Sequence, residues 1–281
     1  MRISHNISAM NTYRQYNANA ASANKSMEKL SSGSRINRAA DDAAGLSISE
    51  KMRSQIRGLT QATRNAQDGV SFIQTAEGAL NEVSDMLTRI KELAVQVQNG
   101  TYSTDDKANI GAEVKALGTA MTEIYVNTKF NGIAVFGAQT GTTNLTTVAP
   151  GTAATIKYGE DGSQSITIAG ATVTSLIALT AETATADSAP ADVTVALVEA
   201  AITEVNTTRA GYGAQQNQLE HAANNMATTK ENLQAAESRV RDVDMAEEMM
   251  TYTKNNILLQ AAQSMLAQAN SQPQGVLQLL Q

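Results

Sequence analysis

Residues 56–97 of the chain read IRGLTQATRNAQDGVSFIQTAEGALNEVSDMLTRIKELAVQV. Apolar residues recur through this stretch in alternating steps of three and four, the a/d spacing of a helix that packs along one seam. Thr63 occupies the one polar seam position, and no proline interrupts the run. We therefore predict a single helix within 41–98, about 55 residues and on the order of 80 Å long. Its seam is Ile56, Leu59, Ala66, Val70, Ile73, Ala76, Leu80, Val83, Leu87, Ile90, Ala94 and Val97.

This long helix needs helical partners, because an isolated helix cannot bury its own apolar stripe. A second seam in the same seven-residue register begins at Val198, and Asp192 is the predicted N-cap of its helix. The second seam therefore predicts the main packing partner of the first. Its apolar members are Val198, Ile202, Val205, Tyr212, Leu219, Ala222, Met226, Leu233, Ala236, Val240 and Val243.

A shorter helix and a turn follow the long helix. Asn99-Gly100 is a typical helix stop, and Thr104 or Asp105 is the predicted cap of the next helix. This helix should pack antiparallel to the first, because the link between them is short. Asn131-Gly132, which comes next, predicts a β-turn.

The middle of the chain, residues 137–190, is rich in Thr, Ala and Gly. Alternating runs at 154–158 and 164–169, joined by residues 159–162, predict a β-hairpin. The predicted fold class is therefore mainly α. Both chain ends form a long antiparallel helical bundle or coiled coil, with a small β-hairpin segment in the middle.

Both ends of the chain predict helices that are too poor in large apolar side chains to be stable alone. Residues 1–33 form one such helix, and a second continues from Met245 to Asn270. The segment 272–274, which contains Pro273, is predicted to interrupt the second helix. Such ends need identical neighbours to complete their burial, which predicts a helical homopolymer. The predicted assembly seam is Ile3, Ile7, Met10, Leu30, Ile257, Leu258, Met265, Leu266, Leu277 and Leu280.

The composition differs from that of an ordinary globular enzyme. The 281 residues include no Trp, 3 Phe, 7 Tyr and no Cys, which excludes disulfides, thiolate nucleophiles and cysteine metal sites. The net charge is −6, yet residues 1–40 carry six Lys or Arg against one Glu, and residues 255–281 carry no charge. No apolar run resembles a secretory signal or a membrane span. We predict contacts with neighbouring subunits, with no nucleic acid and no membrane partner.

No motif in the sequence predicts catalysis. The two histidines, His5 and His221, belong to no HExxH motif, and no P-loop or GxSxG motif is present. Gly211-Tyr212-Gly213 lacks the third glycine of a dinucleotide fingerprint, and we interpret it as a place where helices approach closely. An enzyme inserted at 137–190 is disfavoured, since that segment contains no histidine and few acids. We predict no enzymatic activity, no cofactor and no metal.

Several stretches resemble bacterial flagellin. They are MRISHNISAM at 1–10, LSSGSRINRAADDAAGL at 30–46, RIKELAVQ at 89–96, FNG at 130–132, LAQAN at 266–270 and VLQLL at 276–280. The resemblance covers about 1–137 and 195–281, and it identifies a short form that lacks large outer surface domains.

This resemblance implies a structural subunit that polymerises into the flagellar filament for swimming motility. It assigns 1–40 and 240–281 to an inner filament-core domain, 41–137 and 191–239 to an outer tube domain, and 138–190 to a short variable segment. The chain would be exported unfolded by the flagellar type III apparatus and secreted into the extracellular filament, without a cleaved signal. The alternative is the hook–filament junction protein, a hook-associated sibling with similar termini.

The resemblance also implies partners. These are a flagellin secretion chaperone at the C-terminal helices, the filament cap and hook-associated proteins, and the innate receptor TLR5. The receptor contact would consist of Arg89, Leu93 and Glu113, with Ile90 and Gln96 nearby. The same residues could instead serve lateral packing between subunits.

Overall fold

The computed structural model describes residues 6–136, 154–159, 162–168, 175, 178–179 and 193–279, with side chains described as far as 272. Five helices run through these ranges: α1 (Ile7–Ser32), α2 (Ala43–Val97), α3 (Thr104–Asn127), α4 (Val195–Arg241) and α5 (Met245–Leu279). The strands are β1 (Lys129–Phe130), β2 (Ile133–Ala134), β3 (Ala154–Lys157) and β4 (Ser165–Ile168). The mainly α fold class is confirmed.

The chain divides into two compact units. Unit 1 is drawn from Met1–Ile56 and Glu231–Gln281, and unit 2 is Arg57–Lys230. The division falls within α2 and within α4. In the part of the chain that the structure describes, no helix combines the length and hydrophobicity that a membrane span requires.

Helix α2 is the single helix of 55 residues that the seam predicts. All its predicted seam residues are buried except Ile56 and Val70, which are half-buried. Thr63 fits the seam because its hydroxyl donates to the carbonyl of Leu59 at 2.9 Å. Two large residues outside the seam, Phe72 and Leu93, are also buried. The buried stripe is therefore wider than an a/d seam, because more than one element covers α2.

Three contacts identify the elements that cover α2 in unit 2. Arg89 is paired with Glu113 of α3 at 2.9 Å, and Lys91 with Glu199 of α4 at 3.0 Å. Phe72 meets Phe130 of β1 edge to face, with ring centroids 5.8 Å apart. In unit 2, α2 is therefore covered by α3, α4 and β1.

Helix α3 begins one residue earlier than predicted. Ser103 is the N-cap: its hydroxyl accepts from the amide of Asp106 at 3.2 Å, and the Asp106 carboxylate accepts from the Ser103 amide at 3.2 Å. The predicted caps, Thr104 and Asp105, were wrong. Only Ser103 has an acceptor three residues later, so only Ser103 can form this reciprocal pair.

The turn at Asn131-Gly132 is confirmed. Both residues have positive φ, 49° and 80°, as a two-residue hairpin turn requires, and β1 pairs antiparallel with β2. Beyond β2, the ring of Phe136 stacks on Tyr125 of α3 at 4.8 Å, and the Tyr125 hydroxyl donates to the Phe136 carbonyl at 3.1 Å. Burial raises the pKa of Tyr125 above its ordinary value.

The predicted hairpin in the middle segment is confirmed as β3 and β4, which pair antiparallel from Ala154↔Ile168 to Lys157↔Ser165. Ile156 of β3 lies against Gly69 of α2, where a Cβ would come within 3.0 Å of its side chain. The Asn65 amide also donates to the Lys157 carbonyl at 3.0 Å. A glycine on α2 thus provides the space in which the hairpin packs.

Helix α4 begins at Val195, where the Thr194 hydroxyl accepts from the Leu197 amide at 3.4 Å. The predicted cap, Asp192, lies outside the described residues. In unit 2, every seventh residue of α4 is buried, as the second seam predicts. These residues are Val198, Val205, Tyr212, Leu219 and Met226.

Gly211 and Gly213 do not mark a close approach of helices, and that interpretation was wrong. A Cβ at either position would meet no other described atom within 4 Å. Both glycines lie inside α4, where glycine costs conformational entropy without providing needed space.

We therefore expect Gly211→Ala and Gly213→Ala each to raise the free energy of unfolding of unit 2 by about 0.5–1 kcal/mol. Chemical denaturation followed by circular dichroism measures the change. Gly69→Ala is the matched control, because its new methyl group would press on Ile156 and Leu219 at 3.0 and 3.1 Å. Destabilisation by Gly211→Ala or Gly213→Ala would contradict the open space at these positions.

In unit 1, α1 and α5 pack antiparallel. Lys29 near the end of α1 pairs with Glu248 near the start of α5 at 3.5 Å. The side-chain amide of Asn6, which precedes α1, donates to the carbonyl of Ala269 near the end of α5 at 2.7 Å. The buried residues described on these two helices are small: Ala23 and Ser26 on α1 and Ala269 on α5.

Helices α4 and α5 are separated by a break at 242–244 that the heptad pattern does not predict. The connector after α1 pairs with it through the backbone: Arg35 donates to the Arg241 carbonyl at 2.6 Å, and Val243 donates to the Gly33 carbonyl at 3.1 Å. Asp244 then caps α5 by accepting from the amides of Ala246 and Glu247, at 2.9 and 3.2 Å. A long-range backbone contact therefore replaces helical hydrogen bonds here.

The predicted interruption of α5 at 272–274 was wrong, because α5 continues through Pro273 to Leu279. Proline has no N–H and therefore leaves the carbonyl four residues earlier without its helical partner. That carbonyl belongs to Ala269, and it accepts from the Asn6 side chain instead. The helix tolerates Pro273 because another donor serves the freed acceptor.

Candidate functional site

Unit 1 has few buried large side chains. Among its described residues, the buried apolar side chains are Ala23, Ile36 and Ala269, and only Ile36 is large. Unit 2, by contrast, buries Leu80, Leu87 and many other large residues completely. Since hydrophobic stabilisation follows the apolar area removed from water, unit 1 gains little from its own core.

Large apolar side chains of unit 1 are instead exposed. Ile7 is 70% exposed on α1 and Met250 is 68% exposed on α5. We call the exposed residues of these two helices the α1–α5 apolar set. It consists of Ile7, Met10, Tyr13, Met27, Met245, Met249, Met250, Ile257, Leu258 and Met265.

The predicted assembly seam overlaps this set in part. Leu30 and Leu266 are half-buried, Ile3 and Leu280 lie outside the described residues, and Leu277 lies on α5 without a described side chain. The seam as predicted omitted adjacent Met249 and Met250, which line a shallow depression with Thr253, Lys254 and Ile257. The five predicted residues that the structure exposes are Ile7, Met10, Ile257, Leu258 and Met265.

Charged side chains hold the connector between α1 and α2. Lys25 lies 2.8 Å from Asp41, whose carboxylate also accepts from the amides of Arg38 and Asn37 at 3.1 and 3.3 Å. The hydrogen bond from Lys25 is the main reason that the pKa of Asp41 is lowered from 3.8 to about 2. Nearby, Arg241 donates to Glu50 at 3.0 Å and lowers the pKa of that carboxyl.

Stability contributed by Asp41 should depend on pH only in acid. Its pKa is lower in the folded chain, so its contribution is complete above about pH 3.8 and disappears as the pH falls through about 2. An NMR titration of the Asp41 carboxyl should show a midpoint near 2. Lys25→Met should raise the midpoint, whereas Lys51→Met, at an exposed lysine of α2, should not. A midpoint near 3.8 in the unmodified chain would contradict the observed pairing.

A second candidate site lies on unit 2, where α2 faces α3. Arg89 donates to Glu113 at 3.0 Å and to Glu92 at 3.0 Å, and these hydrogen bonds to the two carboxylates, the one to Glu113 first, raise the pKa of Arg89. Two turns along the same helix, the Gln96 amide donates to the Tyr102 hydroxyl at 3.1 Å. Arg89, Glu113 and Gln96 are exposed.

The other two residues of the predicted receptor contact lie beneath this surface. Ile90 is fully buried and Leu93 is 2% exposed. Both belong to the core between α2 and its partners. The structure thus brings Arg89 and Glu113 into direct contact at the surface. Ile90 and Leu93 are buried and are not accessible to solvent.

The described residues contain no group of three or more His, Cys, Asp or Glu side chains that could hold a metal ion. What the arrangement offers is extended apolar surface on unit 1 and an exposed ion-pair cluster on unit 2.

Comparison with known proteins identifies the family. The bacterial flagellin N-terminal helical region matches residues 3–142, and the bacterial flagellin C-terminal helical region matches residues 195–280. The solved structure of a flagellar hook-associated protein from Vibrio parahaemolyticus has a TM-score of 0.58 at 14% identity, over 72% of this chain and 100% of that one. At this identity the similarity concerns the fold alone.

Full-length relatives agree with the two family regions. Flagellin of Bacillus subtilis is 46% identical over 308 aligned residues, and flagellin of Halalkalibacterium halodurans is 48% identical over 283. Each alignment covers 100% of this chain and 100% of the relative. The chain therefore belongs to the bacterial flagellin family.

Proposed function

We propose that the chain is a structural subunit that polymerises with identical copies into the bacterial flagellar filament and so supports swimming motility. The α1–α5 apolar set carries this proposal. Complete burial of one large apolar side chain is worth about 1.5–3 kcal/mol, and the described residues of α1 and α5 leave ten of them exposed. Neighbouring copies would supply the burial that its own core lacks.

The domain roles follow the same logic. Residues 1–40 and 240–281 would form the inner filament core, since the whole α1–α5 apolar set lies there. Residues 41–137 and 191–239 would form the outer tube, and 138–190 a short variable segment. The filament lies outside the cell, and its cap and hook-associated proteins would be further partners.

Seeded assembly tests the proposal. Purified chain is incubated with short filament seeds, and electron microscopy measures filament length. We expect long filaments from the full chain and none from Ile257→Ser/Met265→Ser, which changes only exposed side chains. Ile133→Ser, at an exposed apolar residue of unit 2, is the matched control and should assemble. A full chain that stays monomeric under all seeding conditions would favour the hook–filament junction protein.

Export by the flagellar type III apparatus, with a secretion chaperone on the C-terminal helices, is part of the proposal. Residues 255–281 are uncharged, and α5 exposes Met250 and Ile257. Such a helix needs protection from aggregation before assembly. Co-purification of the chaperone with the full chain, and its loss on deletion of 255–281, tests this part.

We also propose recognition by the receptor TLR5 through the exposed cluster of Arg89, Glu113 and Gln96. Arg89→Ala should weaken binding of the receptor ectodomain at least tenfold, or by about 1.4 kcal/mol. Arg64→Ala, an exposed arginine on the same helix, is the control and should bind as the unmodified chain does. Equal binding by both variants, with slower assembly of Arg89→Ala, would assign the cluster to lateral packing.

A further inference from the structure

Methionines are distributed unequally over the described chain. Met10, Met27, Met245, Met249, Met250 and Met265 of unit 1 are each at least 50% exposed. In unit 2, Met121 and Met226 are 0% and 5% exposed. The thioethers that solvent reaches most easily therefore lie on α1 and α5, the helices that carry the proposed assembly surface.

Three of these methionines lie within six consecutive residues at the start of α5. Met249 and Met250 are adjacent and line the depression with Thr253, Lys254 and Ile257, and Met245 lies about one helical turn earlier. No other part of the described chain holds three exposed methionines so close together. Met245, Met249 and Met250 are called the methionine cluster below.

We propose that the methionine cluster is an oxidation site at which peroxides control subunit addition. The proposal rests on the proposed function, because it assumes that the cluster becomes buried against a second copy. The oxidant is hydrogen peroxide or an organic hydroperoxide. The modified form is methionine sulfoxide, which converts an apolar side chain into a polar one.

The chemistry is a two-electron oxygen transfer. A lone pair on the thioether sulfur attacks one peroxide oxygen, the S–O bond forms and the O–O bond breaks. The other oxygen leaves with a proton as water, or as an alcohol when the oxidant is an organic hydroperoxide. Sulfur is oxidised and the peroxide is reduced, so no further reactant is needed. Exposure controls the rate, and exposed thioethers should react before buried Met121 and Met226.

The effect on assembly follows from desolvation. Each sulfoxide oxygen accepts hydrogen bonds from water in the free subunit and loses them when a neighbouring copy covers it. Of the side chains that line the depression, the Thr253 hydroxyl already donates to the Met249 carbonyl at 2.8 Å, which leaves Lys254 as the available donor there. Met245 does not line the depression with Lys254, and the Lys254 ammonium would itself have to give up water to bond the other two sulfoxides, so the oxidised surface resists burial.

The experiment uses the full chain and hydrogen peroxide. Peptide mass mapping locates the sulfoxides, and seeded elongation is measured before and after treatment. We expect faster oxidation of the cluster than of Met121 and Met226, and at least tenfold slower elongation of the oxidised chain. Met245→Leu/Met249→Leu/Met250→Leu should elongate seeds at the same rate before and after peroxide, whatever that rate is relative to the unmodified chain. Met121→Leu/Met226→Leu, the matched control, should remain sensitive.

Unchanged elongation by chain with mapped sulfoxides at the cluster would overturn the proposal, as would a triple variant that remains sensitive through Met10, Met27 or Met265. If the triple variant assembles poorly without peroxide, the test uses the oxidised unmodified chain instead. Methionine sulfoxide reductases reduce it, and seeded elongation is measured again. Restored elongation supports the proposal, and persistent loss after complete reduction contradicts it. Failure of the untreated, unmodified chain to elongate seeds would instead reject the proposed function on which the proposal rests.

Discussion

Leu80→Ala should lower the free energy of unfolding of unit 2 by about 2–5 kcal/mol. Leu80 is fully buried in the seam of α2, with Ile73 and Leu87, also fully buried, one heptad away on either side. Truncation removes buried methyl groups and leaves a cavity, because neighbouring side chains on rigid helices relax only partly into the space. Urea denaturation followed by circular dichroism measures the loss.

Val95→Ala on the same helix is the matched control. Val95 is 54% exposed, so its truncation should change the free energy of unfolding by less than about 0.5 kcal/mol. Since both substitutions shorten an aliphatic side chain on α2, their difference isolates burial from helix propensity. Similar losses for the two variants would contradict the assignment of Leu80 to the core.

The heptad pattern predicted α2 and its core well, because a strict seven-residue register leaves few ways to bury an apolar stripe. The same register predicted Val198 to Met226 on α4. It did not predict the burial of Phe72, which packs edge to face on Phe130 outside the seam, or the burial of Leu93. Periodicity describes one face of a helix, whereas burial depends on every element that surrounds it.

The assembly surface was harder to predict. The apolar residues of α1 and α5 could be found from sequence, but a weakly amphipathic helix does not reveal which of them an intramolecular partner will cover. Ile7 and Leu30 belong to the same predicted seam, yet Ile7 is exposed and Leu30 half-buried. Local sequence patterns did not predict the break at 242–244, because it depends on backbone contacts with Gly33 and Arg35, more than 200 residues away.

Asn6 should be energetically coupled to Pro273, although no local pattern relates them. The Asn6 side chain acts at two places: its Oδ1 accepts from the Ala9 amide at 3.0 Å and caps α1, and its Nδ2 donates to the Ala269 carbonyl at 2.7 Å. Ala269 is 8% exposed, so its carbonyl has little access to water when Asn6 is removed. The helical donor to that carbonyl would have been the N–H of residue 273, which proline lacks.

Asn6→Asp separates the two functions. Aspartate is as good an N-cap as asparagine, and its charge is favourable at a helix N-terminus, so the cap is kept. The donor to Ala269 is lost, and leaving a buried carbonyl unsatisfied should cost about 1–3 kcal/mol. Amide hydrogen exchange of α1 and α5 measures this cost locally, because it reports opening of these helices alone.

Pro273→Ala tests whether this cost arises from the missing N–H. The substitution supplies a donor within α5, so Asn6→Asp in the double variant should cost less than about 0.5 kcal/mol. The double-mutant cycle should then give a coupling energy within the range of about 0.5–3 kcal/mol observed for residues that share a partner. Asn6→Asp with the same cost in both backgrounds would show that the Ala269 carbonyl does not depend on Asn6. A coupling energy in this range would mean that α5 continues past Pro273 without loss of stability only where Asn6 at the start of α1 lies against it. Pro273 would then fix the register between the two terminal helices.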